Sequence, residues 1–95
     1  MKVQAIVAEI LGTFFFLSII LSAVADSSYG PIAIAVGLLA AIYFGGKISG
    51  GHYNPAVSIM MYFKGNINII TAFAYIIAQI IGGLLALLVN SFLIL

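Results

Sequence analysis

The sequence predicts an all-α membrane protein with three transmembrane helices and one re-entrant half-helix. Three observations predict it. Of the 95 residues, 65% are hydrophobic and only 5% charged, against roughly 25% charged in a soluble domain, so the chain has too little polar surface to face water. The apolar residues fall into three stretches, at about 4–25, 30–47 and 67–94, each near the ~20 residues that cross a hydrocarbon core of about 30 Å. Between the second and third lies Ser49-Gly50-Gly51-His52-Tyr53-Asn54-Pro55-Ala56-Val57-Ser58. It combines a turn, a helix cap and a helix start at a depth where lipid tolerates none of them.

The first stretch, 4–25, opens behind Met1-Lys2 and carries Glu9 inside its apolar run. With Ala23-Val24-Ala25 before Asp26 it also fits the outline of a cleaved signal peptide. Glu9 opposes that reading, and the stretch is taken as a retained span. Asp26-Ser27-Ser28-Tyr29-Gly30-Pro31 is a polar turn whose last residues lead into the second span, which ends at Gly45-Gly46-Lys47. The segment 48–64 then re-enters. Asn54 is a good N-cap, Pro55 suits the first helical position, and Gly65 stops the helix after Lys64. Pro55 to Lys64 at 1.5 Å per residue is ~15 Å, about half the core. Such a half-helix starts near the midplane and emerges on the side the second span left. Asn66 and Asn68 are the candidate N-caps of the third span. Small residues recur every four positions in two spans, Ala33, Gly37, Ala41 and Gly45 in one, Ala74, Ala78, Gly82 and Ala86 in the other. These stripes mark faces where helix backbones approach closely in lipid.

Composition excludes several function classes. The net charge is +1, with no basic patch to suggest a nucleic-acid partner. Zero cysteines remove disulfides and thiolate metal sites. One histidine, His52, without carboxylate or thiol neighbours is a poor metal ligand set. Glu9, Asp26 and His52 are dispersed, with no nucleophile and base at workable spacing, so no enzyme is expected and no cofactor. A multi-pass integral membrane protein remains, with the lipid bilayer as its first partner; nothing in the sequence says which membrane.

The re-entrant segment carries the chemistry. Unpaired backbone N–H and C=O groups at membrane depth cost several kcal/mol each unless buried in protein or lining a wet cavity, so the segment implies a pathway. Asn54 as N-cap accepts a backbone hydrogen bond with its side-chain oxygen and leaves its NH₂ outward as a donor. Gly50 and Gly51 permit unusual φ and close approach, so successive carbonyls can face a path. Glu9 and Gln79, polar groups inside lipid spans, should face the bundle interior and find partners there.

Three segments, in order and spacing, carry a resemblance: Ala8-Glu9-Ile10-Leu11-Gly12-Thr13-Phe14, then Ile48 to Val57, then Tyr75-Ile76-Ile77-Ala78-Gln79-Ile80-Ile81-Gly82-Gly83. From Ala8 to about Ala86 the chain resembles the N-terminal half of an aquaporin, of the major intrinsic protein family of water and glycerol channels. The resemblance implies a fold of two inverted three-helix repeats, of which this chain carries one. Their half-helices meet tip to tip at the midplane. It implies that Asn54 orients permeating water, that carbonyls of Gly50, Gly51, His52 and Tyr53 line the path with Ala56 beside them, and that Glu9 and Gln79 hold the loop. The family's second half carries an arginine after Asn-Pro-Ala; Val57 stands at that place here. The implied selectivity filter is Val57, Ile34, Ile42 and Gly51, apolar and without arginine, open to glycerol and other small neutral solutes. Lys47 is placed at the pore mouth, with a lysine snorkelling from a helix end as the competing reading.

A single half-helix leaves its tip at the midplane, where hydrocarbon cannot satisfy it, so a partner is expected. The favoured one is a second copy of this chain inserted upside down, and the resemblance to four-pore particles implies eight chains. The charges oppose an equal mixture of orientations: Lys2, Lys47 and Lys64 trace to the N-terminal side and Asp26 to the other, a positive-inside bias. The expected function is a passive channel for water and small neutral solutes. The alternatives are a parallel oligomer conducting ions along a central axis, and a non-conducting partner of full-length channels.

Overall fold

The computed structural model describes residues 2–24 and 30–93. Within them the chain forms four helices: α1 (Val3–Ala23), α2 (Gly30–Ser49), α3 (Pro55–Lys64) and α4 (Ile69–Leu93). Helices α1, α2 and α4 are each long and apolar enough to cross a membrane. The fold is the expected one of three spans and a half-helix. Most of the predicted turn, Asp26 included, lies outside the described residues.

α1 is the central helix, with α2 against one face and α4 against the other. The order of neighbours gives the directions. Gly45 lies by Ala8, Gly37 by Ile19 and Gly30 by Ala23, so α1 and α2 are antiparallel. Gln79 meets Glu9, while Gly82 faces Ile10 to Phe14 and Gly83 faces Leu17, so α1 and α4 run parallel. Both small-residue stripes therefore turn towards α1. At Gly82 a Cβ would stand 2.6 Å from the Ile10 carbonyl oxygen and 3.0 Å from the Phe14 nitrogen; only hydrogen fits, as close backbone approach in lipid requires. Ala78 and Ala86 continue that buried seam, and Gly37, Ala41 and Gly45 bury the other. Ala33, the first of the α2 stripe, stays exposed.

The half-helix is defined at both ends. Asn54 Oδ1 accepts the Ala56 N–H at 2.8 Å, with Pro55 at the first helical position. At the other end Gly65 adopts φ 90°, its N–H bonds to the Tyr62 carbonyl at 3.0 Å, and Asn66 N–H bonds to the Met61 carbonyl at 2.9 Å. These two bonds make a complete left-handed helix stop, which uses Asn66 and leaves Asn68 as the cap of α4. Asn68 Oδ1 accepts the Thr71 N–H at 2.8 Å. α3 then folds back antiparallel on α4, with Ile59, Tyr62 and Phe63 facing Ile69, Phe73 and Ile76 across an apolar groove. Its tip, Pro55, lies by Gln79, Ile80, Gly83 and Leu84, the middle of α4. The helix thus begins halfway along a span.

Candidate functional site: the loop between α2 and α3

α2 runs to Ser49, two residues past the expected end at 47, and the chain then turns through Gly50 to Asn54 before α3 begins. Gly50 and Gly51 take φ of 95° and 64°, and Tyr53 takes 52°. The left-handed region costs a residue with a Cβ roughly 1–2 kcal/mol. Tyr53 is held there by three contacts. Its N–H donates to Glu9 Oε1 at 2.9 Å. Its hydroxyl donates to the Ala41 carbonyl at 2.6 Å. Its ring fills a slot between α1 and α2 that exists because residues 12 and 45 are glycines; a Cβ at either would overlap the tyrosine.

Glu9 is fully buried and is the hub of the loop. Oε2 accepts from the Ser49 hydroxyl at 2.6 Å and the His52 N–H at 3.1 Å. Oε1 accepts from the Tyr53 N–H and from Gln79 Nε2, each at 2.9 Å. These donors come from α2, the loop and α4, so one side chain of α1 ties the re-entrant segment to both flanking spans. A second tier surrounds it. Gln79 Nε2 also donates to Ser58 Oγ at 2.9 Å, and Ser58 Oγ lies 2.8 Å from His52 Nδ1. Tyr75 donates to the Ser49 carbonyl at 2.5 Å and meets the His52 ring edge-on at 5.0 Å between centroids. The His52 side chain therefore points into the bundle and braces the loop. Glu9 and Gln79 both sit at its support.

The remaining site residues lie on the outer side of this network. Asn54, Pro55 and Ala56 are exposed, as is Gly50, while Gly51 and Val57 are half-buried. Asn54 Oδ1 is committed to the cap, which leaves its Nδ2 facing away from the chain's own interior. Gly51 packs against Gly46, and Gly46 against Ile42, so the loop and Ile42 share one surface. Ile34 lies two helical turns further along α2, about 12 Å at 1.5 Å per residue, so within one chain it does not share that level. Lys47 is exposed in the last turn of α2. Among the described residues no group of three metal-ligating side chains comes together.

Ser49, Ser58, Tyr75 and Thr13 belong to this site; the sequence places them inside or next to its three marked segments but assigns them no role. Each sits four positions from a residue that has one: Ser49 from Gly45, Ser58 from Asn54, Tyr75 from Gln79, Thr13 from Glu9. Such pairs share a helix face, and that periodicity is the signal that could have found them.

A chain with this half-helix and loop has many relatives. Residues 1–94 match the family model described as major intrinsic protein. The chain is 38% identical to aquaporin Z of Photorhabdus laumondii over 87% of its own length and 40% of that protein. It is 45% identical to a glycerol uptake facilitator protein-like 6 of Lactiplantibacillus plantarum, over 83% of its length and 38% of that protein. It is 36% identical to a probable aquaporin, TIP-type RB7-5A, of Nicotiana tabacum, over 96% of its length and 42% of that protein. It thus spans about two fifths of the length of these curated relatives. No solved structure matches it. On the family match over nearly the whole chain, the protein is an integral membrane protein and belongs to the major intrinsic protein family.

Proposed function

We propose that the chain forms a passive channel for water and small neutral solutes, its pore completed by a second copy in the inverted orientation. The observation that carries this is the tip of α3: a capped helix start halfway along a span, with Asn54 and Pro55 exposed and the Asn54 donor turned outward. A helix N-terminus carries roughly half a positive charge. Two opposed tips therefore put about one at the midplane, disfavouring cations while the Asn54 donors take water oxygens. Gly50, Gly51, His52 and Tyr53 offer carbonyls along the approach, and Ile34, Ile42 and Val57 give the wall an apolar character. The relatives named for water and for glycerol support that solute class. Lys47 guards each mouth.

Asn54→Asp separates the pore role from the capping role. Aspartate caps a helix as well as asparagine, so the fold is retained. It removes the NH₂ donor and places a negative charge at the tip. In proteoliposomes the variant is expected to lose water flux and gain potassium leak. Unchanged water flux and no leak would reduce Asn54 to a cap and remove the support for this reading.

A further inference from the structure

His52 braces the loop through one edge of its ring, and the other edge is unused. Nδ1 lies 2.8 Å from Ser58 Oγ, whereas the ring Nε2 has no partner among the described residues. The enclosed polar side-chain atoms left unpaired there are Thr13 Oγ1 and Gln79 Oε1. The His52 Nε2 is not one of them, so it has accessible surface. It opens beside Gly50: a Cβ at that residue would stand 3.3 Å from Nε2 and 3.4 Å from Cδ2, and Gly50 is exposed. The neighbours of the ring decide which nitrogen carries the proton. Glu9 accepts on both oxygens, so Gln79 turns its NH₂ towards Oε1. The same Gln79 NH₂ donates to Ser58 Oγ at 2.9 Å and, having no lone pair to offer, cannot take the Ser58 hydrogen. Ser58 makes no bond back to the Asn54 carbonyl of the kind Ser49 makes to Gly45. Its hydrogen therefore goes to His52 Nδ1, and a neutral ring that accepts on Nδ1 carries its proton on Nε2.

The surroundings of that N–H are rich in acceptors. The carbonyls of Gly50, Gly51, His52 and Tyr53 accept no hydrogen bond from the described residues, so the approach to the α3 tip offers four acceptors in succession. A carbonyl takes the hydrogen of a passing hydroxyl but cannot bind its oxygen. A donor beside Gly50 supplies the other half of a two-point site for a hydroxyl group, on the way to the Asn54 donor at the tip. An apolar solute can use neither half.

We propose that the His52 Nε2–H, held in that tautomer by the chain from Glu9 through Gln79 and Ser58, is a donor of the path and binds the oxygen of water or of a hydroxylated solute beside Gly50. The proposal rests on the loop lining a path, as above, and adds a second side-chain donor to it. Two substitutions separate the two edges of the ring. Asparagine puts its oxygen near the place of Nδ1 and nothing at Nε2; glutamine puts its NH₂ near the place of Nε2 and nothing at Nδ1. In proteoliposomes His52→Asn is expected to lower water and glycerol flux roughly fivefold, the effect of one neutral hydrogen bond, and His52→Gln to recover most of that loss. Bracing through Nδ1 alone gives the reverse order. That reverse order, equal losses in the two variants, or undiminished flux through His52→Asn overturns the donor and leaves the path standing. The tautomer is read directly. The chain has one histidine, so nitrogen-15 magnetic resonance of the ring in bilayers at neutral pH reports on His52 alone, and Nε2 protonated with Nδ1 bare is expected. A proton on Nδ1 instead overturns the proposal. No water flux through the unmodified chain overturns the path and the donor together.

Discussion

Glu9 takes four donors from three other segments, two on each oxygen, and an amide in its place cannot do the same. Glu9→Gln points its NH₂ at one pair. At Oε1 it faces the Tyr53 N–H, at Oε2 the His52 N–H, so in either orientation a buried backbone donor loses its acceptor. Each such loss costs about 1–3 kcal/mol. The variant is expected to melt at lower temperature in detergent and to lose flux as the loop leaves its left-handed turn; an unchanged melting midpoint would contradict the hub. Glu9, Gln79 and Asn54 were legible as polar groups in an apolar chain, where their presence needs a reason. Ser49, Ser58 and Thr13 were legible only through their four-residue spacing from Gly45, Asn54 and Glu9, because a hydroxyl in a membrane helix can satisfy itself on the preceding turn and its type alone says nothing. Tyr53 was read for its carbonyl alone. Its ring slot needs glycines at 12 and 45, on two different helices, a pairing that no local spacing displays.

At the scale of elements, α1 against α4 depends on Gly82. A branched side chain there meets the Ile10 carbonyl and the Phe14 nitrogen, which are backbone and cannot step aside. Gly82→Val is expected to separate the two helices and draw Gln79 off Glu9, one turn away. Overpacking of this kind costs about 1–3 kcal/mol, read as a lower unfolding midpoint, whereas Ala33→Val at the exposed end of the other stripe leaves it unchanged. Equal effects at the two positions would contradict the packing. Element types were legible throughout because cap, proline and glycine punctuate the half-helix at both ends. Boundaries were less so. α2 continues two residues past Lys47, with the Gly50 N–H still closing on the Gly46 carbonyl at 3.0 Å, and the positive φ of Gly50 ends it. The two asparagines before α4 could not be ranked from sequence; Asn66 belongs to the stop of α3.

For the whole molecule, 28%, 22% and 33% of the residues in an 18-residue apolar stretch of α1, α2 and α4 are buried within the chain, so most of each span faces lipid or another copy. Sequence alone could not say which, since both surroundings accept the same apolar side chains. In the proposed pore Val57 takes the place that the resemblance gives to an arginine in the family's second half. Glycerol is therefore expected to pass measurably alongside water in proteoliposomes. Val57→Arg should lower glycerol flux several-fold, and water flux without glycerol flux in the unmodified protein would contradict the apolar filter. The account stands or falls on orientation. Lys2, Lys47 and Lys64 trace to one face of the chain and bias it towards a single insertion, yet an inverted pair needs both. The chain has no native cysteine, and Asn66→Cys, exposed on that same face, keeps all three lysines in place. The deciding measurement is labelling of Asn66→Cys by a membrane-impermeant thiol reagent, applied from each side of membranes that contain this chain alone. Labelling from both sides in comparable amounts is the predicted result; labelling from one side only, in membranes that still conduct water, would contradict the inverted pair.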